Sequence, residues 1–211
     1  MKPNKQNITG LYLISDTAFS NGRGHEEIVE AGLLGGASVV QIREKTLTLR
    51  ELYPIAARIR QMTAAAGAVL IINDSVELAM AVGADGVHLG QGDFPVNDAR
   101  RLLGADKIIG VSTHSLSEAL KARDDGADYI GFGPMFPTET KDAGDAKEPD
   151  ELRLIREKVD MPIVAIGGIN ASNGGPVIEA GADALAVISA VVGADDIETA
   201  ARGIAALFVQ R

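Results

Sequence analysis

The sequence predicts a single-domain α/β protein folded as a closed (β/α)8 TIM barrel. Three observations predict it. Apolar runs of strand length alternate with helical patterns from end to end, and strict alternation calls for a parallel sheet covered by helices. Eight such units fit in 211 residues, a number that suits closure better than an open sheet. Gly36-Ala37-Ser38, Gly83-Ala84-Asp85, Gly126-Ala127-Asp128 and Gly181-Ala182-Asp183 recur before every second strand, where glycine ends a helix and the next residues open a strand. These strings are αβ turns that set the register of a barrel rather than mark a site.

Taken in order, residues 1–10 are polar and read as a flexible tail, and the barrel occupies residues 11–211. Leu11-Tyr12-Leu13-Ile14-Ser15 is the first strand. A helix over about 24–34 precedes the second strand at 38–43. Residues 48–66 place Leu49, Leu52, Ile55, Ala56, Ile59 and Met62 at helical spacing. Strands follow at 68–72, 86–89, 107–111, 129–132, 162–166 and 184–188. The helices between and after them are expected at 75–82, 96–103, 115–125, 148–158, 173–180 and 195–208.

Composition narrows the function. With 46% apolar and 23% charged residues the chain is an ordinary soluble globular protein. Its net charge of −9 argues against nucleic acid or an anionic membrane as partner. An anion must then be bound by a local cluster of basic groups. Cysteine is absent, which excludes disulfides, thiolate metal sites and a cysteine nucleophile and fits a reducing cytoplasm. The N-terminus has no signal-peptide pattern, and no apolar run is long enough to span a bilayer.

In such a barrel chemistry belongs at the C-terminal ends of the strands. Gln41-Ile42-Arg43-Glu44-Lys45 follows the second strand, Asn73-Asp74 the third, Gly90-Gln91-Gly92-Asp93 the fourth and Ser112-Thr113-His114 the fifth. The sixth is followed by Gly133-Pro134-Met135-Phe136-Pro137-Thr138-Glu139-Thr140-Lys141, a proline-stiffened arm presenting two hydroxyls and an ammonium. Gly167-Gly168 and Ile188-Ser189 close the set. All would face one mouth.

Gln41, Arg43 and Lys45 alternate, so an extended backbone puts them on one side. Two cations and an amide facing inward call for an anion, or else for a structural ion pair with Glu44 or another carboxylate. Lys141 adds a cation from across the mouth, and three converging cations suit a phosphate or pyrophosphate. Asp74 and Asp93 fit a Mg²⁺ ion that shares phosphate oxygens and waters, although each also reads as a helix cap. Gly167-Gly168 and Ile188-Ser189 stand where barrels build a phosphate site from main-chain N–H groups. His25, His88 and His114 are scattered, and His88, in mid-strand, reads as structural. No dinucleotide fingerprint and no serine–histidine–aspartate arrangement is legible. Two anion sites at one mouth, with no obvious base, favour departure of a leaving group over proton abstraction.

At these positions the chain resembles the thiamine-phosphate synthase family. The match rests on Gln-x-Arg-x-Lys at 41–45, Ile-Asn-Asp at 72–74, Gly-Val-His-Leu-Gly-Gln at 86–91 with Asp93, and Gly-Pro-x-Phe-Pro-Thr-x-Thr-Lys at 133–141, and it runs from about Leu11 to Phe208. The resemblance implies a Mg²⁺-assisted transferase with two small phosphorylated substrates and no other partner class, a homo-oligomer being left open. Those substrates are 4-amino-5-hydroxymethyl-2-methylpyrimidine diphosphate and a thiazole phosphate, with or without an extra carboxylate. Pyrophosphate would leave first and the thiazole nitrogen would capture the pyrimidine methyl cation. By the same resemblance Gln41 holds the pyrimidine. Arg43, Lys45, Asn73, Ser112 and Lys141 hold the diphosphate, with Ile42 and Glu44 in the same string. Lys141, Ser112 and Arg43 take the catalytic part, and Asp74 and Asp93 bind Mg²⁺. Thr138, Glu139, Thr140, Gly168, Ile188 and Ser189 hold the thiazole phosphate. A thiazole tautomerase paralogue, a sugar-phosphate isomerase or epimerase barrel, and a non-catalytic phosphate-binding barrel are the alternatives.

Overall fold

In the computed structural model, which describes residues 8–138 and 145–209, eight parallel strands close into one barrel in sequence order. They are β1 (Gly10–Ser15), β2 (Ala37–Ile42), β3 (Val69–Asn73), β4 (Gly86–Leu89), β5 (Ile108–Thr113), β6 (Tyr129–Phe132), β7 (Ile163–Ile166) and β8 (Ala184–Val187). The crossover helices are α1 (His25–Leu34), α2 (Leu49–Ala66), α3 (Val76–Val82), α4 (Val96–Leu103), α5 (Leu116–Asp124), α6 (Pro149–Arg156) and α7 (Gly174–Glu179). Pairing of β8 with β1, Leu13 opposite Val187, closes the ring.

Period 2 along each strand divides the core into two layers. Leu11, Leu13, Val40, Ile42, Leu70, Ile72, Ile130 and Phe132 point outward and pack under the helices. Tyr12, Ile14, Val39, Val69, Ile71, Ile108, Tyr129 and Val164 point inward and fill the barrel. The inward parity carried one step up each strand selects Gln41, Arg43, Asn73, His88 and Ser112, so the same alternation that packs the floor aims the polar residues at the mouth.

Two expectations are corrected. Residues 8–10 are part of the barrel: Ile8 is 1% exposed in the inner layer, Thr9 Oγ1 donates to the Asp183 carbonyl at 3.0 Å, and Gly10 already belongs to β1. Burying Ile8 plugs the N-terminal end of the barrel. Between β8 and the last helix lies an unforeseen one-turn helix, α8 (Ser189–Val192), before α9 (Ile197–Ala205) and a 3₁₀ turn over Ala206–Phe208. A single turn is too short to leave a periodic signature.

The Gly-Ala-Asp repeat acquires a mechanism. Asp85 accepts from Leu70 N of the preceding strand and from Arg60 of α2, both at 2.8 Å. Asp128 accepts from Ile109 N at 2.9 Å and Arg100 of α4 at 2.5 Å. Asp183 accepts from Ile163 N and Arg156 of α6, both at 2.8 Å. Each aspartate ties an even strand to its odd neighbour and to the helix that leads into that odd strand. In the fourth copy Ser38 donates instead to the Thr9 and Leu11 carbonyls.

Candidate active site

Two connected cavities open at the C-terminal ends of the strands. The inner one, about 970 Å³ including the open space at its mouth, has Tyr12, Ile14, Gln41, His88 and Tyr129 toward its floor. Thr138, Gly168, Ile188 and Ser189 also line it. The outer one, about 590 Å³, is lined by Lys45, Asp74, Gly90, Gln91, Gly92 and Asp93. Arg43, Asn73 and Ser112 line both, so they stand at the junction.

The outer cavity concentrates charge. Lys45 Nζ meets Asp74 Oδ2 at 2.5 Å, and Arg43 is ion-paired with the buried Asp16. Asp93 accepts from Gly90 N at 2.7 Å, which closes the turn after β4. Burial pushes the Asp93 carboxyl upward, and the Asp74 carboxyl beside it pushes the same way. Two carboxyls held against each other in a cavity that Arg43 and Lys45 also line are a poor arrangement alone and would be a good one around a divalent cation. The capping alternatives do not hold. Ser75, not Asp74, caps α3 by accepting from Leu78 N at 3.1 Å. The N-cap of α4 is Pro95. Asp74 itself has φ 62°, an uncommon conformation that Asp tolerates and that releases its carboxylate from the cap position. Among the described residues no third His, Cys, Asp or Glu joins the pair as a metal group, so any cation held there would need its other ligands from outside these side chains.

The opposite wall is built from the segment after β6. Met135 N donates to the Ile166 carbonyl at 2.9 Å and Phe136 N to the Gly167 carbonyl at 3.0 Å, so the arm lies along the end of β7. Only glycine fits beneath it. A Cβ on Gly168, which has φ 63°, would stand 2.7 Å from Phe136 Cβ and from the Pro137 carbonyl oxygen. Asn173 Nδ2 donates to the Gly168 carbonyl at 3.0 Å, which helps fix the loop.

A profile described as thiamine monophosphate synthase matches residues 11–191. The chain belongs to that family. It is 54% identical to a thiamine-phosphate synthase of Chloroflexus aurantiacus, over 93% of this chain and 91% of the relative. It is 49% identical to one of Methanospirillum hungatei, over 95% and 98%. Among solved structures, the thiamine phosphate pyrophosphorylase of Pyrococcus furiosus superposes with a TM-score of 0.90 at 40% identity, covering 98% of each chain. A 3-hexulose-6-phosphate synthase at 16% identity and TM-score 0.69 shares the fold alone.

For a thiamine monophosphate synthase family member, most of the anticipated residues converge. Gln41, Arg43, Asn73, Ser112, Thr138, Gly168, Ile188 and Ser189 line the inner cavity, and Lys45, Asp74 and Asp93 the outer. Glu139, Thr140 and Lys141 lie outside the described residues. At two positions of the 41–45 string the side chain points elsewhere. The Ile42 side chain packs outward in the helix-facing core. Glu44 turns away from the mouth to accept from Thr17 at 2.9 Å, His25 at 3.1 Å and Thr46 N at 2.6 Å. One residue of strand parity separates each from its site neighbour. Burial would raise the Glu44 carboxyl, but hydrogen bonds from Thr46, Thr17 and His25 outweigh it and pull the group down to about 2.

Several contributors were not foreseen. Asp16 follows the end of β1, the one strand top left out of the inventory, although the same rule would have found it. Tyr12 of β1 and Tyr129, which opens β6, also line the inner cavity. His114 is anchored, Nδ1 donating to the Gly133 carbonyl at 2.8 Å. A serine–histidine–glutamate string does assemble, Ser15 Oγ to His25 Nδ1 at 2.7 Å and His25 to Glu44. Ser15 is fully buried and lines neither cavity, so the string braces the β1 and β2 loops and presents no nucleophile.

Proposed function

We propose that the protein is a thiamine-phosphate synthase, joining 4-amino-5-hydroxymethyl-2-methylpyrimidine diphosphate to a thiazole phosphate with release of pyrophosphate. One observation carries the reading beyond family membership: a largely apolar cavity and a charged cavity meet at Arg43, Asn73 and Ser112. That partition matches a substrate with a flat heteroaromatic half and a diphosphate half, its scissile C–O bond at the junction. Gln41 would hold the aminopyrimidine. Arg43 and Lys45, with Lys141 from the arm, would face the diphosphate. Asp74 and Asp93 would hold Mg²⁺, which when bound offsets diphosphate charge.

The chain's own residues then need to do little covalent chemistry. The C–O bond breaks with both electrons going to the departing diphosphate, where Arg43 and the Ser112 hydroxyl oppose the growing charge. The thiazole nitrogen lone pair forms the new C–N bond. No proton is transferred between carbon and the protein in this reaction. Thr138, the Gly168 main chain, Ile188 and Ser189 would fix the thiazole phosphate so that its nitrogen faces the cationic carbon. Release of pyrophosphate with both substrates present, and its loss in excess EDTA, tests the reading. Turnover unchanged by EDTA would remove the metal part, and no pyrophosphate under any condition would remove the whole.

A further inference from the structure

A chain of hydrogen bonds crosses the barrel floor from one cavity wall to the other. Gln41 Nε2 lies 2.7 Å from Tyr12 Oη, Tyr12 Oη 2.8 Å from Tyr129 Oη, Tyr129 Oη 2.9 Å from His88 Nδ1, and His88 Nε2 2.9 Å from Ser112 Oγ. Five residues from β2, β1, β6, β4 and β5 are thus joined end to end. Neither phenol nor the imidazole is a ligand-binding residue in the function proposed above.

The chain has a direction. An amide nitrogen has only hydrogens to give, so Tyr12 Oη accepts from Gln41, and one ordering that satisfies every link sends the Tyr12 hydrogen on to Tyr129. The Tyr129 hydrogen then goes to His88 Nδ1. A neutral imidazole carries its single hydrogen on the other nitrogen, so Nε2–H donates to Ser112. The Ser112 hydrogen is left for an oxygen at the junction, and the Gln41 carbonyl is left for a donor in the cavity. Burial pushes both phenols well above their usual range, so each keeps the one hydrogen that this ordering needs.

The barrel makes room for the chain at two glycines. A Cβ on Gly110 would stand 2.0 Å from Tyr129 Cζ, and one on Gly131 would stand 3.1 Å from His88 Cε1. The rings sit close, His88 and Tyr129 centroids at 5.4 Å and Tyr12 and Tyr129 at 6.1 Å. Neither phenol is more than 1% exposed.

We propose that Tyr12, Tyr129 and His88 are positioning residues that form a one-way relay. It holds the Gln41 amide with its oxygen toward the aminopyrimidine and the Ser112 hydroxyl as a donor toward the departing diphosphate. Recognition of the ring edge and support of the leaving group are then coupled through the floor. The proposal rests on the synthase reading for its ligands but not for its hydrogen-bond order.

Two measurements test it. In ¹⁵N-histidine-labelled, ligand-free protein at about pH 8, with His88→Gln used for assignment, His88 is expected as the Nε2–H tautomer. Tyr129→Phe is expected to admit the Nδ1–H form, and Tyr12→Phe to do so more weakly. An Nδ1–H imidazole in the unmodified protein, or a tautomer indifferent to Tyr129→Phe, overturns the relay. This arm needs no substrate, so it stands whether or not the chain makes thiamine phosphate. In turnover, Tyr129→Phe is expected to lower kcat by about tenfold with KM for the diphosphate less affected, and to cause no further loss in a Ser112→Ala background. Equal losses in both backgrounds would mean that the phenol only supports packing.

Discussion

The two rims of the barrel use the same residue types to opposite ends. At the N-terminal rim Asp85, Asp128 and Asp183 each accept from a main-chain N–H of the preceding strand and from an arginine of the helix before that strand. Every carboxylate there is answered by the chain itself, three times over, by one device. At the C-terminal rim Asp74 and Asp93 are turned toward each other, and the second is pushed upward by burial and by the first. Charge that closes a fold is satisfied internally. The Asp74–Asp93 pair is answered only in part, by Lys45 and the Gly90 N–H, the pattern expected of charge kept for a ligand.

The largest test of that contrast is Asp93→Asn. Loss of a carboxylate from the diphosphate side is expected to lower kcat/KM by about 10²- to 10³-fold in a pyrophosphate-release assay. The folded protein should not suffer. A carboxyl raised above its unfolded value favours the fold at low pH and burdens it as pH rises through the folded value, so removing the charge leaves Tm at neutral pH unchanged or higher. Added Mg²⁺ should raise Tm of the unmodified protein and not of the variant. A variant that melts early and retains its rate would put Asp93 with the structural carboxylates instead.

The converse substitution is Asp85→Ala at the opposite rim. It strands Leu70 N and the Arg60 guanidinium, and a loss of about 2–3 kcal/mol is expected in denaturant unfolding, with kcat per folded molecule unchanged. A stability change below 0.5 kcal/mol on the order of a surface substitution would show that the clamp is dispensable.

How far the sequence revealed each rim follows from the physics each one uses. Strand order, closure and the facing mouth were legible because period 2 and β–α alternation are local signals. The Gly-Ala-Asp strings were legible as repeats, but their arginine partners stand 25 to 28 residues away on helices, where one arginine reads like any other. Gln41, Arg43 and Lys45 were legible as a one-sided set. That Arg43 answers Asp16 was open only as an unspecified ion pair. Ile42 and Glu44 were grouped with the site by adjacency in the string, whereas a strand sends neighbours to opposite faces. The Tyr12–Tyr129–His88 path was hidden for the same reason that makes it work. It joins strands far apart in sequence, and a buried tyrosine shows in sequence only its ring.

Glu44 gives the smallest and finest test, because it lies at the upper end of the barrel yet behaves like the lower-rim aspartates. Its carboxylate, turned under the loop, accepts from Thr17, His25 and Thr46 and so stays out of the outer cavity that Lys45 lines. A folded value of about 2 against an ordinary 4.5 means that this group stabilises the fold at and above pH 4.5 and ceases to do so as pH falls toward 2. The unmodified protein should therefore exceed Glu44→Gln in stability at pH 6 by about 1 kcal/mol. The difference should close between about pH 4 and pH 2 in paired unfolding curves. A gap that persists unchanged at pH 2.5, by about the same margin, would mean that shape rather than charge holds the loop. KM for the diphosphate should rise only through misplacement of Lys45, severalfold at most. A loss as large as that of Asp93→Asn would return Glu44 to the ligand side of the mouth, against the direction in which its side chain points.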